Sequence, residues 1–168
     1  GYQEIMSDPS YAGQFVTFTM PEIGNVGVNN QDMESTSAHA KGMIVRKYQA
    51  RYSNFRAEES LDTFLIKHNV MGICDIDTRY LTKMIRDEGA MMMVASTKIS
   101  DKEELKNILE KAPRIEDVNY IEQVSTKEAY KHESATYNTS GPFQYKNAPT
   151  AEAKIAVIDF GVKRNILN

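Results

Sequence analysis

The sequence predicts an α/β domain with a partly parallel sheet. From residue 58 onward, short apolar runs alternate with amphipathic stretches of helical period, in the order helix, strand, helix, strand, helix. Strands separated by helices return to one sheet as crossovers, which favours parallel pairing. Near the end of the chain, Ile155-Ala156-Val157-Ile158 is apolar at every position, the pattern of a central parallel strand covered on both faces.

Residues 14–20 alternate as a strand, with Phe15 and Thr17 on one face and Val16 and Phe18 on the other. Pro21 stops it, and Gly24, Asn25, Gly27, Asn29 and Asn30 make a turn-rich loop. Residues 43–48 are expected to form a second strand. In 58–69, Leu61, Phe64 and Leu65 have the spacing that lines one helical face. Residues 70–74, an apolar run between Asn69 and Asp75, read as a buried strand. Asp77 or Thr78 can cap the next helix, whose Leu81, Met84 and Ile85 form an inward stripe. Its Arg79, Lys83, Arg86 and Asp87 face water, and Gly89 stands where a left-handed residue is wanted. Residues 91–96 read as a further strand. Ser100 and Glu103 have capping-box spacing for a helix carried by Leu105, Ile108 and Leu109 and stopped by Pro113.

These elements place a first domain over residues 1–130. Residues 131–153, rich in Ser, Thr, Asn, Gly and Pro with little apolar period, read as a linker. Residues 154–160 are the expected strand, Gly161 turns the chain, and 162–168 begin a helix. A lone strand and half a helix cannot bury themselves, so residues 154–168 read as the opening of a second α/β domain. Residue 1 is glycine rather than methionine, and the chain is expected to begin within a longer protein.

Composition removes several function classes. A chain of 168 residues can bury roughly two-thirds of its unfolded surface, so a core forms without disulfides or metal. Hydrophobic residues at 41% and charged residues at 26% are globular usage, not that of a disordered chain. The net charge is −3, with both signs interspersed, so no basic stripe invites nucleic acid or an anionic membrane surface. Cys74 is the sole cysteine, which excludes an internal disulfide and a cysteine metal cluster and fits a reducing cytoplasm. No apolar run approaches the roughly 20 residues of a membrane helix, and no leader of secretory type is visible. A cytoplasmic protein without nucleic-acid or membrane partners is expected.

A nucleophile elbow of the Gly-x-Ser-x-Gly type has glycine on both sides of a strained strand-to-helix turn, and its cysteine analogue would read Gly-x-Cys-x-Gly. Gly72-Ile73-Cys74 supplies only the first, because position 76 is Ile, and no neighbouring cation favours a thiolate. Cys74 therefore reads as a buried structural cysteine. His39, His68 and His132 lie far apart without metal-ligand spacing, and each reads as a structural or solvated ring. Glu34, five residues before His39, is close enough for a turn to join the two. Gly24-Asn25-Val26-Gly27 lacks the remaining residues of a phosphate loop and reads as a turn with positive-φ glycines. Met91-Met92-Met93 reads as strand or core filling.

Gly1-Tyr2-Gln3-Glu4-Ile5-Met6-Ser7-Asp8-Pro9-Ser10-Tyr11 is, by its residues, a polar stretch ending in a turn whose Ser10 can donate or accept a hydrogen bond. This string resembles a motif of carbamoyl phosphate synthetase small subunits. The resemblance continues in order through Pro21-Glu22-Ile23-Gly24-Asn25-Val26-Gly27, Glu34-Ser35 with His39 and Gly42, and Ser53-Asn54-Phe55-Arg56. It extends through Ile76-Asp77-Thr78-Arg79-Tyr80-Leu81-Thr82 with Arg86 and Gly89, and closes on Asp159-Phe160-Gly161-Val162-Lys163-Arg164-Asn165-Ile166-Leu167.

The resemblance implies a layered swivelling β/β/α domain followed by a class I glutamine amidotransferase domain, of which residues 154–168 would be the first, truncated part. It implies a Cys-His-Glu triad in that domain and ammonia passed to a large synthetase subunit. That partner uses bicarbonate and ATP to make carbamoyl phosphate for arginine and pyrimidine synthesis. By the same resemblance Ser10 contacts bound glutamine. The nucleophile elbow and the triad have no counterpart in this sequence, so no catalytic residue is assigned and the chain alone is expected to be inactive. No cofactor or metal is assigned to it, since ATP and its metal ions belong to the large subunit. The competing reading is a non-catalytic binding or oligomerisation module. A reading frame that continues past Asn168 into Gly-x-Cys-x-Gly separates the two.

Overall fold

The computed structural model describes residues 1–141, 144–150 and 152–168. Its centre is a parallel sheet in the order β1 (Phe15–Thr17), β2 (Gly42–Ile44), β3 (Met71–Ile73). The register aligns Val16, Met43 and Gly72 on one face and Phe15, Gly42 and Met71 on the other. The α/β class and the parallel pairing are as the sequence predicts. β2 and β3 are joined through helix α2 (Leu61–Lys67), the kind of crossover that parallel neighbours require.

Ser60 caps α2 by accepting the N–H of Thr63 at 3.1 Å, and Leu61, Phe64 and Leu65 are its buried stripe. Leu65 lies over β3 so closely that a methyl group on Gly72 would stand 3.1 Å from its Cδ1. On the same face, helix α1 (Tyr2–Ser7) adds Tyr2 and Met6 to a core that includes Met43, Val45, Leu61 and Phe64. Residues 1–11 are thus not a plain polar turn. They form α1 and then a 3-10 turn at Pro9–Tyr11.

Helix α3 (Thr78–Glu88) lies against β1. Of its two candidate caps Asp77 serves, accepting the N–H of Tyr80 at 3.0 Å, and Gly89 ends it at a φ of 88°. Leu81, Met84 and Ile85 are half-buried, and Arg79, Lys83, Arg86 and Asp87 are exposed, as expected. Helix α4 (Lys102–Lys111) is capped by Asp101, which accepts the N–H of Glu103 at 3.0 Å, and not by Ser100. A carboxylate one residue later meets both the capping geometry and the positive end of the helix dipole. A single turn, α5 (Ile121–Val124), follows.

Other expectations are corrected. β2 is shorter than 43–48, and β3 is half-exposed because it is an edge strand. Residues 91–96 form no strand, and all three methionines there are exposed. Residues 154–160 also pair with no strand among the described residues, leaving Ile155 87% and Ile158 81% exposed. An apolar run becomes a strand only where a neighbouring edge offers ladder partners, and neither segment joins the ladder of a described sheet. The chain ends in a short helix, α6 (Arg164–Leu167).

The predicted linker, whose Pro142, Phe143 and Ala151 lie outside the described residues, contains an antiparallel pair: β4 (Ser134–Tyr137) and β5 (Tyr145–Asn147). Long-range contacts order it. Tyr137 Oη donates to Gln31 Oε1 at 3.0 Å, Tyr145 Oη donates to the Gln31 carbonyl at 2.8 Å, and the Arg56 guanidinium stands 4.5 Å over the Tyr137 ring. Composition reports the absence of an apolar period, but it cannot report such docking.

Phe64 is 1% exposed at the centre of the core. Phe64→Ala is expected to lower the unfolding free energy by about 3–5 kcal/mol. Urea titration checks this as a fall in midpoint with an unchanged slope.

Candidate functional site

The N-terminal motif is a run of polar side chains held inside the core. Tyr2, Gln3, Ser7 and Asp8 are all buried, and each has a partner far away in sequence. Tyr2 Oη donates to the Gly27 carbonyl at 2.6 Å, and burial, followed by the neighbouring Tyr48, pushes its pKa up to about 12. The Gln3 amide clasps the Asn29 backbone in both directions: Nε2 donates to the carbonyl at 2.5 Å, and Oε1 accepts the N–H at 3.0 Å. Ser7 Oγ donates to the Gln3 carbonyl and accepts the N–H of Glu34, both at 2.9 Å. Ser35 Oγ in turn donates to the Ser7 carbonyl at 2.7 Å.

Asp8 carries this run into the turn. Its Oδ1 accepts the N–H of Ser10 at 2.9 Å, while its Oδ2 lies 3.5 Å from Lys163 Nζ. The Ser10 carbonyl accepts from Gln14 Nε2 at 3.1 Å. Ser10 itself is exposed, and no hydrogen bond among the described residues engages its hydroxyl. The result is a hydroxyl presented to solvent from a backbone pinned on both sides. Such a group can serve as donor or acceptor for a polar ligand.

Residues 159–168 lie against this turn. Asp159 Oδ1 accepts the N–H groups of Gly161 at 2.6 Å and Val162 at 2.7 Å, and Oδ2 accepts that of Thr126 at 3.1 Å. Burial acts to raise the Asp159 pKa, but these three donors prevail and hold the carboxyl below its ordinary range. Gly161, at a φ of 104°, packs on the turn: a methyl group there would lie 3.2 Å from Pro9 Cβ and 2.6 Å from Val124 Cγ2. Glu34 is buried, and its carbonyl accepts the N–H of Arg164 at 2.8 Å. Its carboxylate accepts from Asn165 twice, from the backbone N–H at 3.0 Å and from Nδ2 at 2.5 Å.

The pairing of Glu34 with His39 that their spacing allows is not made, because the Glu34 carboxylate is taken by Asn165. His39 instead bonds Ser35 Oγ through Nε2 at 3.0 Å, and burial lowers its pKa against the opposing charge of Asp8. His68 Nδ1 accepts the N–H of Ala38 at 3.4 Å. Burial and then Lys67 lower its pKa, while Glu59 opposes them. His132 sits with Asn168 Oδ1 at 2.8 Å and Ser134 Oγ at 3.0 Å. Among the described residues no group of three or more His, Cys, Asp or Glu could hold a metal ion, and no helix is long and apolar enough to cross a membrane.

Cys74 is exposed, not buried as expected, because β3 ends at Ile73 on the sheet edge. Its Sγ donates to Asp75 Oδ2 at 3.4 Å. That hydrogen bond, with burial and the Asp75 charge adding to it, raises the thiol pKa, which is the reverse of what a nucleophile requires. A cleft of about 310 Å³ is lined by Gln3, Ser35, Thr36, Lys67, His68 and Arg164 among others, and Ser10 is not part of it.

Comparison with known proteins gives a consistent result. Residues 1–95 match the family model described as the carbamoyl-phosphate synthase small chain, CPSase domain. The carbamoyl phosphate synthase small chain of Helicobacter hepaticus is 54% identical over 168 residues, covering 100% of this chain and 44% of that protein. The corresponding protein of Campylobacter jejuni is 54% identical over 169 residues, covering 100% of this chain and 45% of its own length. That of a Synechococcus species is 46% identical over 168 residues, with 99% and 42% covered. The chain thus spans less than half the length of these curated relatives.

Because the pKa values of His39 and His68 are lowered on folding, the unfolded chain takes up their protons more readily. Their effect is absent above the ordinary histidine value and costs stability as the pH falls below it. Urea unfolding is expected to show lower stability at about pH 5.5 than at about pH 7.5. The H39Q/H68Q variant should flatten that difference, and an unaltered slope would remove these histidines as its cause. At neutral pH, Cys74 should react with iodoacetamide more slowly than a free cysteine, and Asp75→Asn should accelerate it by restoring thiolate.

Proposed function

This chain belongs to the carbamoyl-phosphate synthase small-chain family, and we propose that it is part of the glutamine-hydrolysing small subunit of that enzyme. In this reading the complete subunit releases ammonia from glutamine and passes it to a large synthetase subunit. That partner joins ammonia to bicarbonate with ATP, a ligase reaction that supplies carbamoyl phosphate for arginine and pyrimidine synthesis. The observation that carries the reading is likeness along the entire chain, at 54% identity to two small chains. An α/β fold by itself would license no such assignment.

Within this proposal residues 1–130 are the swivelling β/β/α domain, 131–153 the connection, and 154–168 the opening of the amidotransferase domain. Ser10 is the contact to glutamine. Support comes from its exposed hydroxyl, on a turn whose backbone is held by Asp8 Oδ1 at 2.9 Å. A neutral hydroxyl can meet either polar end of an amino acid, and a fixed backbone lowers the entropy lost on binding. The protein is cytoplasmic and works as a heterodimer with the large subunit, which uses ATP and its metal ions. This chain uses no cofactor of its own.

Glutamine hydrolysis through a covalent intermediate needs a thiolate and a base beside it. Cys74 has Asp75 as its hydrogen-bond partner, and that carboxylate works against the thiolate. The chain therefore contributes a wall of the glutamine site and no nucleophile. Purified on its own, it is expected to release no glutamate from glutamine in a coupled dehydrogenase assay, and turnover would sink this reading. In the full-length subunit, Ser10→Ala is expected to raise KM for glutamine by about tenfold, the equivalent of one hydrogen bond, with kcat little changed.

A further inference from the structure

Glu34 is buried, and among the described residues no cation pairs with its carboxylate. Both carboxylate oxygens accept from Asn165, the backbone N–H at 3.0 Å and Nδ2 at 2.5 Å, across 131 positions of sequence. The backbone of Glu34 is bound on both sides as well. Its carbonyl accepts the N–H of Arg164 at 2.8 Å, and its N–H donates to Ser7 Oγ at 2.9 Å. A carboxylate placed where it excludes water is costly unless each oxygen is served, and here one asparagine serves both. Asp8, the residue after Ser7, makes a parallel link to the same segment. One of its oxygens holds the N–H of Ser10, and the other pairs with Lys163 at 3.5 Å.

We propose that Glu34 is a positioning residue: with Asp8 it latches residues 163–165 onto the turn that carries Ser10, fixing where that hydroxyl stands relative to the second domain. The proposal rests on the reading of Ser10 as the glutamine contact. Ser7 is the hinge of the arrangement, since its hydroxyl joins Glu34 to α1 and its carbonyl receives Ser35 Oγ at 2.7 Å. Gly161 completes the contact from the other strand of chain, with no room for a side chain against Pro9 and Val124. Glu34 touches no substrate in this arrangement. It acts through the backbone that presents Ser10.

The latch makes a prediction about which constant moves. Ser10 meets bound glutamine and the transition state alike, so misplacing it removes uniform binding and raises KM without lowering kcat. The test uses the full-length subunit assembled with its large partner, and glutamine and ammonia as alternative nitrogen sources. E34Q turns one acceptor of Asn165 into a donor and breaks one of the two bonds. It is expected to raise KM for glutamine about tenfold, leaving kcat and ammonia-driven synthesis unchanged. In E34Q/N165D the introduced amide donates to the introduced carboxylate and still accepts the backbone N–H, so both bonds return and KM should fall back toward wild type. N165A removes the Nδ2 donor without altering the buried carboxylate and should raise KM in the same direction. It decides the matter if E34Q does not fold.

A KM for E34Q and N165A equal to wild type overturns the proposal, as does a loss confined to kcat or a double variant no better than E34Q. A wild-type subunit that turns over ammonia and never glutamine overturns the functional reading, and the latch with it. The two failures are therefore distinguishable.

Discussion

Polar groups buried beside the core control this structure more than the core itself does. Gln3, Ser7, Asp8 and Glu34 are each nearly inaccessible to water, and a buried polar group without a partner costs about 1–3 kcal/mol. Gln3 and Ser7 bond the backbone of Asn29 and Glu34, while the carboxylates of Asp8 and Glu34 are served by Ser10, Lys163 and Asn165. The placement of α1 is thus tied both to the Gly24–Glu34 loop and to residues 163–165. A helix of six residues has no independent stability in any case. Its side chains, more than its backbone, hold it in place.

From that constraint the site geometry follows. Once Gln3 is clasped to Asn29 and Ser7 to Glu34, the end of α1 has one direction in which to leave, and Asp8 turns the chain so that Ser10 faces outward. The apolar face of α1 meanwhile supplies Tyr2 and Met6 to the core shared with α2. Packing sets the position of the helix, and hydrogen bonding sets its direction. Neither alone would present the hydroxyl.

Much of the parallel-sheet region was legible from periodicity. Leu61, Phe64 and Leu65 have a helical spacing that nothing else explains, and Ser60, Asp77 and Gly89 act at the ends where local chemistry wants them. Residues 91–96 and 154–160 depart from the expected strands for a common reason. Apolar runs report a preference for burial, but a strand exists only through the partner that shares its hydrogen bonds, and that partner is not local. The β4–β5 pair shows the converse, since it lacks an apolar period and is ordered by Gln31 and Arg56, residues more than seventy positions earlier. In the site, the Asp8-Pro9-Ser10 turn was readable because an Asx-type turn is local. The bonds of Glu34 to Asn165 and of Asp8 to Lys163 were not.

The sequence by itself determined the α/β class, the helices α2, α3 and α4, the family and the Asp8-Pro9-Ser10 turn. All of these depend on residue types within a few positions of one another, or on a string long enough to be distinctive. Tertiary structure alone decided that Cys74 is exposed beside Asp75, that Glu34 serves Asn165 and not His39, and that two apolar runs pair with no strand among the described residues. Each of those outcomes depends on which groups compete for the same partner in space, and sequence separation carries no measure of that competition.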